Sequence, residues 1–574
     1  MTVPNQPPYK KRNISRGISR NTVTQRHPLN VKPGGNALIF GDASIDEQRA
    51  KSLGVFKDFG DELILDLLSY ISDPKDLMNL SHTSRVWYAY LYDEELWRKL
   101  YIKLALREEA ELGDKAPVPP LGISKWNGSW RRTLLGLPST KEANITLPDN
   151  LLCSDTLFRP YQCSQIDYNE LLKDLIDEET ESFQLKKTLN TKFGIPRISE
   201  EAMTETLFHS TYYNKPFILT TTDANRWPSW SLGTLRSRFK DVKFRQESVQ
   251  WPLDFYAQYF AENRDESPLY LFDCQSIAMK QLVKEYTVPS IFTKDALQVF
   301  NEVNTRPDYR WIIVGPARSG STFHKDPNAT SAWNANLTGK KLWIMLEPGV
   351  PPPGVGTDSE ESEVTAPVGV AEWVLSGFYN DAVKLALEGK CQIGMTFPGE
   401  CMYVPAGWWH AVINLEDSVA LTQNFVPEPT MGAVLNFLKN KRDQISGFHV
   451  NDFKKSLKTF LDKEDVDDNA RALFEEWLGK VNDLELDNED IGECNAAPTL
   501  PIYEYFVELL KKSDKYSGVL EQGFKDLEKI ERETAKQNQK VVPSAMWDNL
   551  IKVDENASIG GVFSFNFDEE SDDE

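Results

Sequence analysis

Between residues 201 and 430 the chain is broken into short apolar runs: PLYLFD, YRWIIVGP, KLWIML, CMYVP and SVALTQNFV. They are rich in β-branched and aromatic residues and are cut off from one another by Gly, Pro and Asp. That pattern predicts strands joined by tight turns, and so an antiparallel sandwich or barrel. One interruption, PPPGVGTDSEESEVTAP, is rich in proline and acid and is expected to be a surface loop.

At 574 residues the chain exceeds one compact core, so three to four folded units are expected. The formal net charge of −22 opposes generic attraction to phosphate backbones and argues against an RNA-directed role. No apolar stretch approaches the roughly 20 residues of a membrane span. The opening MTVPNQPPYKKRNISR lacks an apolar core for a secretory signal. Nucleus or cytoplasm is the expected location. The six cysteines form no CxxC pair and are read as free thiols rather than zinc ligands.

Residues 1–50 are expected to be disordered and basic, with Lys10, Lys11, Arg12, Arg16, Arg20 and Arg26 forming a solvated tail or a nuclear-import patch. From 51 to 104 the pattern becomes helical. Leu63, Leu67 and Ile71 recur at helical spacing, Asp73-Pro74 punctuates, Leu77 and Leu80 follow, and Leu96-Trp97 closes the unit. Three short helices leave much apolar surface exposed, which suits a covering partner. This segment resembles an F-box, with Phe59-Gly60 in place of the usual Leu-Pro. The resemblance implies the Skp adaptor of a cullin ubiquitin ligase as a partner. Residues 105–200 read as a linker with short ordered pieces. After 431 the helical period returns to about 545, as in Leu473, Phe474, Trp477 and Leu478. These helices are expected against the barrel or against another subunit, which leaves a homodimer open. Residues 546–574 are expected to be a disordered acidic tail.

His324 and Asp326 lie two apart, so on an extended strand both side chains leave one face. His410, in PAGWWHAVINL, is the candidate for a third ligand. Two imidazoles and one carboxylate form a facial triad that leaves positions open on iron(II). A closed structural zinc shell is a poorer match. Lys341 and Thr422 follow on later strands and suit the distal carboxylate of a dicarboxylate, provided that Lys341 faces inward. A register slip of one residue would bring in Lys340 instead.

HKDPNATSAWNANLTGKKLW with PAGWWHAVINLEDSVALTQNF resembles the Jumonji C family, in particular its lysyl-hydroxylase branch. The similarity runs from about 210 to 430. The fold it implies is multidomain α+β: an all-α F-box, a double-stranded β-helix (jelly-roll or cupin) barrel at 201–430, and a C-terminal helical region. It implies Fe(II) held by His324, Asp326 and His410, and 2-oxoglutarate held by Lys341, Thr422 and Tyr270. Asn334 and Ser321 would line the cosubstrate pocket, with Phe272 as a wall. The implied activity is 2-oxoglutarate-dependent hydroxylation of a protein side chain, lysine favoured. The alternatives are a histone lysine or arginine demethylase and a non-catalytic substrate receptor of the ligase.

Overall fold

The computed structural model describes residues 26–34, 43–138, 151–358, 361, 364–365, 369–462, 468–482, 500–513 and 515–540. The basic residues 10–20 and the acidic tail lie outside these residues. Part of the expected disordered leader is packed instead. His27, Leu29 and Val31 are buried, and Lys32 bridges Cys153. Residues 27–30 form a tight turn, with the Asn30 N–H donating to the His27 carbonyl at 2.9 Å.

Helix α1 (Ala43–Leu53) precedes the F-box and is tied to it by Arg49, whose guanidinium donates to the Phe59 carbonyl at 2.7 Å and to Asp61 at 3.0 Å. Four helices follow: α2 (Asp61–Ser69), α3 (Pro74–Ser81), α4 (Arg85–Tyr90) and α5 (Glu94–Leu112). Side-chain caps set three of the starts. Asp73, Ser84 and Asp93 each accept a backbone N–H from the first turn of α3, α4 and α5, and Pro74 takes the first position of α3, where its missing N–H is not needed. The boundary expected at 104 falls inside α5, which runs to Leu112. Buried Leu96, Trp97, Leu100 and Tyr101 anchor its first half.

The F-box is fastened to the barrel through α5. Arg98 donates to the Ser267 carbonyl at 2.9 Å and to Glu247 at 3.3 Å. Trp130, just beyond the F-box, donates its indole N–H to buried Asp265 at 2.9 Å. Tyr101, Trp126, Trp130, Trp251 and Tyr259 interlock mostly edge to face, with ring centroids 5.0–5.8 Å apart for most pairs, the arrangement that aromatic quadrupoles favour.

Strands are numbered in chain order. The larger sheet runs β1 (Arg197–Ser199), β2 (Phe217–Thr220), β13 (Cys401–Val404), β8 (Ser331–Thr338), β15 (Ser418–Phe425), β6 (Arg310–Gly315), β5 (Leu271–Asp273), β3 (Lys243–Gln246) and β4 (Val249–Pro252). The smaller runs β12 (Cys391–Thr396), β9 (Lys341–Leu346), β14 (Trp409–Asn414) and β7 (Gly320–His324). Every pairing is antiparallel except β1 with β2. The described part of the acidic insert carries a short hairpin of β10 (Gly356–Thr357) and β11 (Val364–Thr365).

Alternation along the paired strands gives each sheet two faces. Leu342, Ile344, Leu346, Ile393 and Ile413 of the smaller sheet pack outward. They meet Cys163, Tyr168, Leu172 and Leu175, so the helices at Asp155–Ser164, Tyr168–Leu171 and Lys173–Gln184 coat the barrel rather than merely link it. Ile218, Ala332, Trp343, Met345, Met402 and Val404 close the apolar end of the interior. After the barrel, helices from Met431 to Lys540 build a separate core around Phe474, Tyr505 and Phe506. That core includes Leu297, Phe300 and Val426, so these helices pack on their own barrel.

Candidate metal centre and cosubstrate pocket

His324 ends β7, and Asp326 follows in extended backbone (φ −63, ψ 143) before a tight turn. His410 begins the cross-strand pairing of β14 and stands directly opposite His324. The two imidazole centroids are 4.1 Å apart. One ligand atom from each of His324, Asp326 and His410 can be chosen so that all lie within 4.8 Å of one another. The spacing read from the sequence therefore brings the three together.

Each imidazole is oriented by a backbone carbonyl. Nδ1 of His324 lies 2.8 Å from the Thr322 carbonyl oxygen, and Nδ1 of His410 lies 3.2 Å from that of Trp408. A carbonyl only accepts, so Nδ1 carries the proton in both rings and Nε2 is left as a lone-pair donor. Burial and the neighbouring His324 hold His410 well below the usual histidine range, which keeps it neutral and ready to ligate. Asp326 Oδ2 is buried with no hydrogen-bond partner, and burial pushes its carboxyl up. An orphaned carboxylate oxygen beside two Nε2 lone pairs is a donor set that a divalent cation would satisfy. The residues fit iron(II).

The turn after Asp326 is fixed from outside the barrel. Asn328 adopts a left-handed conformation (φ 55), tolerated by Asn, and exchanges two hydrogen bonds of 3.0 Å with the backbone of Ser446. Asn424 donates to Thr330 at 2.9 Å, and its amide offsets part of the upward push that burial gives the Asp326 carboxyl. Sequence reasoning missed Asn424, although it lies two residues after Thr422 on the same strand face.

Lys341 settles the register question. It is 2% exposed, whereas Lys340 reaches out to Glu416 at 2.8 Å. Among the described residues no carboxylate lies within ion-pair distance of Lys341; its ammonium donates only to Asn414 Oδ1, at 2.8 Å. Burial lowers the amine to about 7. A buried ammonium without a counter-ion marks an anion site. Asn334 and Thr422 are paired across β8 and β15, so they share a face, and Asn334 Oδ1 is buried without a partner. The Thr422 hydroxyl donates to the Trp333 carbonyl at 3.0 Å, a bond it would have to leave to donate to a carboxylate. Trp311 is opposite Thr422, and Phe272 stacks on Trp311 at 5.2 Å. Tyr270 stands beside Phe272 at 6.3 Å, its phenol pushed up to about 12 by burial. Phe272 remains 36% exposed, a lip more than a sealed wall.

Ser321 lies opposite Val412, past a slip in the β7–β14 ladder. The strands approach so closely there that a Cβ on Gly320 would collide with the Val412 carbonyl. Gly320→Ala is therefore expected to destabilise the fold by about 3 kcal/mol, measured by urea unfolding.

A family pattern for a cupin-like domain matches residues 233–431, and one for an F-box-like domain matches 61–103. The arginine-specific demethylase JMJ22 of Arabidopsis thaliana is 34% identical over 477 residues, covering 80% of this chain and 84% of that protein. The chain belongs to the Jumonji C family. Two further relatives match shorter stretches of the chain. The bifunctional arginine demethylase and lysyl-hydroxylase psr-1 of Caenorhabditis briggsae is 34% identical over 250 residues, 41% of this chain and 62% of that one. The 2-oxoglutarate and iron-dependent oxygenase JMJD4 of Mus musculus is 28% identical over 221 residues, 38% of this chain and 49% of that one. A Jumonji C oxygenase uses iron(II) and 2-oxoglutarate, and the three-ligand cluster beside the lone lysine suits that pair.

Proposed function

We propose that this Jumonji C chain oxidises a C–H bond on a cationic protein side chain, with lysine hydroxylation favoured. The observation that carries the reading is the His324–Asp326–His410 cluster in one barrel with a buried Lys341 that has no counter-ion. Iron(II) with 2-oxoglutarate supplies dioxygen activation coupled to decarboxylation to succinate. Around it, His324, Asp326 and His410 bind the metal through one face. Lys341, Thr422 and Asn334 hold and orient the cosubstrate. The apolar end of the barrel, with Trp343 and Met345, excludes water.

Arginine demethylation is a second reading, favoured by the JMJ22 match over 80% of this chain. Hydroxylation of an N-methyl carbon yields an unstable product that releases formaldehyde, so both outcomes need the same residues. The test is succinate release by iron-loaded protein with lysine-bearing and methyl-arginine peptides. A peptide gain of about 16 mass units identifies a hydroxylase, and a loss of about 14 with formaldehyde identifies a demethylase. Succinate release without any peptide change would reject both substrates.

The F-box-like domain supports docking to a Skp-type adaptor. In α2, Ile64 and Leu68 are buried while Leu63 and Leu67 are 46% and 40% exposed, and Val55, Phe56 and Tyr70 extend the apolar surface. A monomeric surface rarely leaves such a cluster bare. Leu63→Asp with Leu67→Asp is expected to weaken adaptor binding at least about tenfold, read by calorimetry with purified adaptor. Unchanged affinity would place the adaptor elsewhere or nowhere.

A further inference from the structure

Lys341 is held by two residues that no sequence pattern singled out. Its ammonium donates to Asn414 Oδ1 at 2.8 Å, Asn414 Nδ2 donates to Ser319 Oγ at 2.8 Å, and Ser319 donates to the Pro316 carbonyl at 2.6 Å. All three side chains are essentially buried. Resting on the cosubstrate reading above and deepening it, we propose that Asn414 and Ser319 are a neutral clamp that positions Lys341 and leaves its charge for the distal carboxylate of 2-oxoglutarate.

The chain of hydrogen bonds runs one way. The Ser319 hydroxyl proton is committed to a carbonyl, so its oxygen accepts from Asn414. The amide NH2 therefore turns toward Ser319 and the amide oxygen toward Lys341. A flipped amide would set NH2 against an ammonium. The clamp fixes Lys341 without neutralising it, and a buried cation held by a neutral acceptor retains its demand for an anion.

The backbone holds the clamp in place. Asn414 N–H donates to the Ser319 carbonyl and Arg318 N–H to the Asn414 carbonyl, both at 2.8 Å. Arg318 sits in the left-handed region (φ 75), and its guanidinium donates to the Asp265 carbonyl at 2.7 Å and to Asn263 at 3.1 Å. Space is made by Gly315, where a Cβ would stand 2.5 Å from both Asn414 Nδ2 and Ser319 Oγ. The clamp residues are positioning residues, since they act through Lys341.

The test is calorimetric titration of 2-oxoglutarate into Mn(II)-loaded protein without oxygen, for wild type, Asn414→Asp and Ser319→Ala. The Asp variant supplies an internal carboxylate that competes for Lys341, and about a thirtyfold or larger loss of affinity is expected. Ser319→Ala frees the amide to turn and is expected to weaken binding about three- to tenfold. In steady state the KM for 2-oxoglutarate rises correspondingly, while kcat at saturation and Mn(II) affinity stay within about threefold. Wild-type affinity in both variants would overturn the clamp, as would parallel loss of metal and cosubstrate binding, which marks a structural role. If Asn414→Asp does not fold, Ser319→Ala decides alone. Wild type that binds Mn(II) but no 2-oxoglutarate would overturn the cosubstrate reading itself, and the clamp with it.

Discussion

Lys341→Met yields a protein that is harder to unfold and no longer binds 2-oxoglutarate. The two effects share one cause. Lys341 is buried with only a neutral amide as partner, and burial lowers its amine from the ordinary 10.5 to about 7. Methionine fills similar volume with no charge to desolvate. Removing such a group stabilises by about 1–3 kcal/mol, after allowing for the lost bond to Asn414. The pH dependence has a definite sign. Below pH 7 the folded and unfolded chains both carry the proton, so the burial penalty is fully present. As pH rises from about 7 toward 10.5 the folded lysine sheds its proton while the unfolded one keeps it, and wild-type stability rises across that window. The advantage of the Met variant is therefore largest at pH 6 and smaller at pH 9, measured by urea unfolding without cosubstrate. A variant less stable than wild type at pH 6 would show that Lys341 is held by more than the structure reveals. Saturating 2-oxoglutarate stabilises wild type and leaves the Met variant unchanged, since only the former has a counter-ion to gain.

His410→Ala is expected to remove turnover and to weaken iron(II) binding by more than about a hundredfold, beyond the 10–100-fold typical of outer-shell partners. His410 on β14 stands directly opposite His324 on β7 and is the most buried of the three ligands. The fold should survive, because the strand register rests on backbone bonds and on Ala411 and Ile413, which face the outer core. A thermal midpoint close to that of the metal-free wild type, with metal binding lost, is the expected pair of results. Retained stoichiometric iron binding would show that the metal is held elsewhere, and the partly exposed Glu205, His209 and Glu428 group would be the first place to look.

Much of the site was legible because strand period and ligand chemistry coincide. His324 and Asp326 are two apart on extended backbone, and Lys341 and Thr422 open onto the barrel interior from β9 and β15. The question between Lys340 and Lys341 could not be settled from sequence, since it depends on a register that only the β9–β12 and β9–β14 pairings fix. Asn414 and Asn424 were within reach by the same period, four residues after His410 and two after Thr422. They were passed over because an asparagine carries no signal of its own until a buried partner is seen beside it. Ser319 and Gly315 were beyond reach, since their roles come from a contact between β6, the following turn and β14. The extent of α5 and the coat formed by residues 155–184 were hidden for another reason. Both expose long polar faces, and their buried sides face elements distant in sequence. The packed stretch at 26–34 is the same case in miniature, nine residues whose partners lie beyond position 90.

In the proposed site His324, Asp326 and His410 hold iron(II) in a pocket where Lys341 receives 2-oxoglutarate. The most direct test is the visible absorption of anaerobic, iron(II)-loaded protein on addition of 2-oxoglutarate, run beside His410→Ala and Lys341→Met. A charge-transfer band that saturates at one cosubstrate per chain in wild type is the expected result. It should be absent in both His410→Ala and Lys341→Met. No band in wild type that has bound iron, or an unaltered band in both variants, would contradict the account.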